Sequence, residues 1–336
     1  MHIRWAHRYL PAVSGYLSFV VNPILAYLIL TEQKSTTIGR YRFLILFFAV
    51  FDMLYSTVEL LVPVGMHGTG SAFVIYLAHG PFFGKDRIRL AQFAISVRCG
   101  CISLSYGILI IHFIYRYIAL FYPKFVEQVF RPFGIFCIFT FFLIHGIVWA
   151  GICELFLYAD DEMRDYIRET FRKDYEVDSN DIAFLAALYM DGSAEVNKRG
   201  WTGILLLSGI SVYAVSLYVI LGRRVNEIVG KLRTQNALSQ ITQNMHKQLF
   251  TVLAVQTVIP VCISFSPCMM AWYGPMFYLD LGMWNNYFGV IAFSAFPFLD
   301  PLAIIFLLPN YRNRLTRKHI IKPFVNILFN RTTTVS

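Results

Sequence analysis

Two basic residues, His112 and Arg116, sit one helical turn apart in the run IIHFIYRYIALFYPKF, residues 110–125, which is otherwise mostly apolar. Asn22, Asp52, Glu59 and Asp300 interrupt other apolar runs in the same way. An ionisable group in such surroundings pairs, shares a proton, or waits for a partner, because an isolated charge in a medium of low dielectric is costly. Asp52 and Glu59 are seven residues apart and so fall on one helix face. Asn22, Asp52 and Asp300 carry the groups for a shared proton or a cation, and equally for a hydrogen-bonded packing network. Arg116 also has two readings. Its stem can snorkel toward lipid headgroups, or its guanidinium can be held inside for a partner. Tyr115 and Tyr117 complete a polar girdle around it.

The elements that position these groups follow from composition. Apolar residues make up 57% of the 336, aromatic residues 17% and charged residues only 15%. A soluble domain carries about 25% charged residues. Long uncharged runs recur, each near the roughly 20 residues that cross a hydrocarbon core as helix. The expected fold is an all-α integral membrane bundle of seven spans, at 9–30, 43–66, 91–122, 133–158, 201–221, 248–272 and 287–308. Helix is required because a backbone amide left unpaired in lipid costs several kcal/mol, by the order of magnitude of such transfers. The apolar stretch near the start is too long for a signal peptide and contains Asn22-Pro23, so it reads as the first span. No repeat, low-complexity tract or separate soluble domain is apparent. Residues 1–336 read as one domain, with an acidic loop at 159–200 and a short basic tail from 309.

Basic residues set the expected orientation. With the amino terminus outside, 17 Lys and Arg fall on the cytosolic side and 11 on the other. Most of the acids crowd into the loop at 160–198, which reads as a solvated face or a lid with helical stretches. The net charge of +9 is then mainly a property of the cytosolic face, suited to anionic lipid or an acidic partner, and gives no reason to expect nucleic acid. Six cysteines lie in or beside spans, with no zinc-like spacing. Most read as packed thiols, while Cys153 is near enough in height to Cys99 or Cys101 for a bridge to be considered. No metal or cofactor motif and no nucleophile or phosphate-loop motif is present, so an enzyme is not expected.

Several stretches together carry a resemblance. HFIYRY, with Tyr122-Pro123 after it, resembles the end of the third helix in nematode serpentine chemoreceptors of the str type. IGRYRFLILFFAVFDMLYS resembles the start of their second helix, and Asn22 takes its place in the first. KQLFTVLAVQTVIP resembles the sixth, and FPFLDPLAIIFLLPNYR the seventh. The resemblance implies a G-protein-coupled receptor for a small odorant or pheromone, partnered by a heterotrimeric G protein, in the plasma membrane of chemosensory cilia. It implies coupling and activation roles for His112, Tyr115, Arg116, Tyr117, Tyr122, Pro123, Pro260, Asp300 and Pro301, with no acid at 115 to restrain Arg116. Pro260 is expected to kink the sixth helix, and the segment 223–247 to prolong the fifth and sixth helices. The implied pocket lies between the outer halves of helices three, five, six and seven. Its candidates are Arg98, Cys101, Tyr106, Tyr213, Ser264, Phe288 and Phe293. An odorant-gated cation channel of inverted topology needs the opposite charge bias. A secondary transporter needs a repeat.

Overall fold

The computed structural model describes residues 5–31, 40–234, 240–277 and 282–316. Nine helices matter here: α1 Trp5–Leu30, α2 Tyr41–Leu61, α3 Ile88–Phe121, α4 Pro132–Phe156, α5 Asp161–Tyr175, α6 Ala194–Thr234, α7 Gln240–Ile259, α8 Ser266–Tyr273 and α9 Gly282–Leu307. Three strands accompany them, β1 Val64–Thr69, β2 Ala72–Leu77 and β3 Phe184–Leu188. Among the described residues, six helices are long and apolar enough to cross a membrane. The remaining span is α7 and α8 joined through a π-helical segment, Pro260–Phe265. Proline at its first position has no N–H for the preceding turn, so the ladder shifts there.

Helix α3 is the axis of the bundle. Its buried positions surround the helix, from Gln92 and Ser96 to His112 and Arg116, so it lacks a single apolar stripe. Its tightest neighbour is α4. A Cβ on Gly100 would lie 2.7 Å from the Gly146 carbonyl oxygen and 3.1 Å from the Ala150 Cβ. Small residues allow that approach, as is usual where helices pack in lipid.

One end of the bundle carries a cap that the sequence reading lacked. The expected second span, 43–66, stops as helix at Leu61, and Val64 begins a strand instead. β1 and β2 form an antiparallel hairpin, with Thr69 opposite Ala72. Gly70 in the two-residue turn has φ 52, and a Cβ there would strike the Tyr166 hydroxyl. β3 pairs with β2, Ala72 opposite Leu188, closing a connection of more than a hundred residues. Alternation gives the sheet two apolar faces. Val74, Tyr76, Phe184 and Ala186 face α5, whose Met163, Ile167, Phe171 and Tyr175 recur every four residues. Phe73, Leu77, Leu185 and Ala187 join the core of the bundle. The acidic loop is therefore a packed layer with its own core.

Local chemistry fixes the ends of α5. Asp160 accepts from the Met163 amide at 2.8 Å, and Glu176 closes the helix in the left-handed region. Beyond it, the Asn180 amide and the Arg172 and Arg168 guanidiniums hold the Asp178 carboxyl below its ordinary value. At the other end of the molecule, α6 runs to Thr234 and α7 starts at Gln240, so both helices extend past their spans, as expected of the segment 223–247. A short helix, α10 Pro309–Thr316, follows α9. Its Arg314 donates to the Leu28 carbonyl at 2.6 Å and to Thr31 Oγ1 at 2.6 Å.

The α3–α4 contact gives a direct test. Gly100→Ala sets a methyl against backbone, which cannot rotate away, and should cost about 1–3 kcal/mol as overpacking does. Thermal melting of the purified protein in detergent should fall accordingly, while Gly151→Ala, which meets nothing within 4 Å, should melt like the parent. Equal melting of both variants would show that the helices are not held at this distance.

Candidate functional site

A cavity of about 30 Å³ lies between the sheet and the bundle. β1 and β2 roof it with Val64, Met66, Phe73 and Ile75, and helices supply the walls. Trp149 of α4 and Trp272 of α8 stand 6.1 Å apart at ring centres on this wall. Arg98 is the one charged side chain in the lining. The cap is tied to the walls, since the Tyr189 hydroxyl donates to the Trp272 carbonyl at 2.7 Å.

Arg98 is 3% exposed and needs compensation. It donates to the Tyr55 hydroxyl at 2.7 Å and to Glu59 Oε1 at 3.2 Å, with its guanidinium carbon 4.5 Å from the Tyr55 ring centre. Ser294 of α9 donates to the same Glu59 oxygen. One ion pair thus joins α2, α3 and α9. Arg98 Nε and Glu59 Oε2 have no hydrogen-bond partner. Arg98, Val64 and Phe293 also form part of the wall of a second cavity of about 40 Å³, against Pro11 and Ala12 of α1.

Toward the middle of the bundle, Pro301 removes the N–H that would have bonded the Pro297 carbonyl within α9. Asn22 Nδ2 supplies the missing donor at 2.9 Å, and Ser18 Oγ adds a longer bond at 3.3 Å. Asp52 and Asp300 are buried beside this contact. Among the described residues, no three His, Cys, Asp or Glu side chains gather as a metal site.

At the end away from the cap, Tyr41 of α2 organises the basic pair. Its hydroxyl lies 2.9 Å from His112 Nδ1, and the Arg116 guanidinium carbon is 3.7 Å from its ring centre. Tyr115 stacks on the same ring at 5.4 Å. Arg116 is 5% exposed, with no hydrogen bond at Nε or Nη2. That position is inside the protein, whereas a snorkelling arginine puts its head in the headgroup layer. Tyr117 stacks on Phe121, and Tyr122 is exposed before the turn that starts at Pro123.

Of the expected pocket residues, Arg98 and Phe293 line the cavity. Cys101 and Tyr106 are buried but outside its lining. Tyr106 lies deeper, its carbonyl accepting from Tyr218 and its ring against Trp149. Tyr213 is 46% exposed beside His145 and faces away from the cavity. The side chains of Pro260, Ser264 and Phe288 lie outside the described residues. Cys99, Cys101 and Cys153 are free thiols, so the bridge considered from the sequence is not formed. Tyr41, Tyr55, Ser294 and the two tryptophans were missed. Of these, Tyr41 and Tyr55 had a signal, their place in IGRYRFLILFFAVFDMLYS.

Comparison with known proteins agrees with this architecture. Residues 1–315 match the family described as serpentine type 7TM GPCR chemoreceptor Srj. The chain belongs to that family. Among its relatives, "Serpentine receptor class J-38" of Caenorhabditis elegans is 37% identical over 316 residues, 93% of each chain. "G-protein coupled receptor str-33" of the same organism is 24% identical, covering 89% of this chain and 86% of its own. "Serpentine receptor class r-10" of C. elegans is 25% identical, covering 88% and 86%. The nematode serpentine assignment therefore stands, and the likeness to the str type is one of several within it. As an Srj-family protein, the chain is a multi-pass membrane protein of the seven-helix receptor type.

The Asn22 contact predicts a thermodynamic cycle in this Srj-family bundle. Asn22→Ala leaves the Pro297 carbonyl with only the longer Ser18 bond and should cost about 1–3 kcal/mol. In a Pro301→Ala background, a backbone N–H returns to that carbonyl, and the same substitution should cost less than half as much. Thermal melting of the four proteins measures the difference. Identical costs in both backgrounds would mean that Asn22 does not act through this carbonyl.

Proposed function

We propose that this chain is a chemoreceptor that binds a small, mainly apolar odorant or pheromone beneath the sheet and activates a heterotrimeric G protein. The observation that carries the reading is the apolar cavity under the sheet, with Arg98 in its lining. It sits between the sheet and the helices, with an apolar lining, two indoles and one placed charge, the combination usual for small-molecule sites. The charge bias of the loops supports a cap outside the cell and Arg116 near the cytosol. Plasma membrane of a sensory cilium is the location that suits such a receptor.

In this reading, ligand contacts on Trp272 and Phe293 bear on α8 and α9, on either side of the Arg98–Glu59 pair. A shift there alters how α7 and α9 pack against α3. Arg116, stacked on Tyr41 and lacking an acidic partner among the described residues, is then released toward the G protein. The basic ends of α6 and α7 and the turn at Tyr122-Pro123 frame that surface.

Calcium responses to a ligand panel, with and without a co-expressed G protein, test the function. Within that assay, Arg116→Lys should reach the surface and bind ligand yet lose most of its response, because an ammonium cannot copy the flat five-donor guanidinium. A normal response from Arg116→Lys would remove this arginine from coupling. Topology has its own check. A tag at the carboxyl terminus should stain only after permeabilisation. Staining of intact cells would place the tail outside and favour an odorant-gated channel of inverted topology.

A further inference from the structure

Helices α3 and α4 run antiparallel in a nearly constant register. Gly100 faces Ala150, Ser96 donates to Glu154 Oε2 at 2.8 Å, and Ser103 lies 3.4 Å from His145 Nδ1. Cys99 and Cys153 fall between the first two contacts, and both line the cavity beneath the sheet. Their thiols neighbour each other across the two helices. The backbones are also near enough for a covalent link. A Cβ on the neighbouring Gly100 would sit 3.1 Å from the Ala150 Cβ, shorter than the roughly 3.5–4.5 Å of bridged cysteines, so the helices approach closely enough here for a bridge between them. Cys268 and Met66 bring two more sulfur atoms to the same lining. The side chains gathered here do not form a metal site, but two neighbouring reduced thiols in an apolar cavity have a chemistry of their own.

We propose that Cys99 and Cys153 form a dithiol site that takes small apolar organic disulfides. The inference rests on the cavity being the ligand site and names a ligand class for it. The Cys99 thiolate attacks one sulfur of R–S–S–R. A Cys99–S–S–R bond forms, the ligand's S–S bond breaks, and one R–S⁻ leaves and takes up the proton that Cys99 gave up. Cys153 then attacks the Cys99 sulfur and loses its proton to the second departing R–S⁻. Two protein thiols are oxidised to a bridge and one disulfide is reduced to two R–SH, so no further oxidant is needed. Exchange requires a thiolate, and Arg98, next to Cys99 in sequence, supplies a positive charge in the same lining. The apolar roof and the two indoles select apolar R groups. The product would pin α3 to α4 along one wall of the cavity.

Dimethyl disulfide is a suitable probe, added to the purified full-length receptor in lipid nanodiscs. Alkylation of the remaining thiols and peptide mass spectrometry then report each cysteine. The expected result is a linked Cys99–Cys153 peptide that appears with the probe and is reopened by glutathione. In Cys153→Ser the reaction should stall at a methylthio adduct on Cys99. In Cys99→Ser, Cys153 should remain alkylatable at the same dose. A bridge present before treatment and resistant to glutathione would overturn the proposal, as a structural disulfide. Thiols that stay alkylatable throughout would overturn it as well. The chemistry is read in peptides, independent of signalling. A receptor that bridges without signalling would keep the dithiol site and refute the receptor function, while one that signals to other ligands without bridging would do the reverse.

Discussion

A carbonyl or a charge inside this bundle has to find its partner within the chain, and the Pro297 carbonyl shows what that demands. Pro301 cannot donate to it, lipid offers no donor, and Asn22 reaches across from α1 to do so. The same constraint draws Glu59 to Arg98 and Ser294 to Glu59. Each repair joins helices far apart in sequence, and α9 takes part in both. Packing of apolar side chains gives little preference between helices when the surroundings are equally apolar. These polar repairs therefore do much to decide which helix lies beside which.

The helices were legible because a span in lipid is a long apolar run, a local property that a window of residues reveals. The cap was not. VGMHGT and AFVIYL each have six residues, and the first merged with the apolar run before it. β3 reads FLAAL, a pattern equally at home in a helix, and its pairing with β2 is fixed by contacts across the whole of α3, α4 and α5. Sheet pairing of that range leaves no local period in the sequence. The helix α5 was within reach of pattern reading, since its apolar positions recur every four residues. What it packs against was not.

The site divides along a similar line. Isolated polar residues in apolar runs announced themselves, which is why Arg98, Asp52, Asp300, His112 and Arg116 were found. Their partners were ordinary tyrosines and serines among many. Tyr41 and Tyr55 gain their roles only from the helix rotation that faces them to His112 and Arg98. Tyr213 shows the converse, a plausible type at a plausible height that a few tens of degrees of rotation turn away from the cavity. Height along a span follows from sequence position, whereas azimuth depends on packing, and the pocket is a matter of azimuth.

The cavity lies where the backbone is least regular. Trp272 and Cys268 in its lining follow the π-helical segment, and Phe293 lies next to Ser294, shortly before the two prolines of α9. A regular helix transmits a push along its axis as a rigid body, whereas a missing hydrogen bond gives it a place to bend. A ligand under the sheet would press on α8 beyond one such place and on α9 before another. The cap would add resistance from the far side, because Tyr189 holds the Trp272 carbonyl at the end of α8. The cap therefore holds α8 through Tyr189, and Glu59 holds α9 through Ser294, each near a place where the helix lacks a regular hydrogen bond. These irregular places are where α7–α8 and α9 can bend relative to α3, whose Arg116 lies at the opposite end of the bundle.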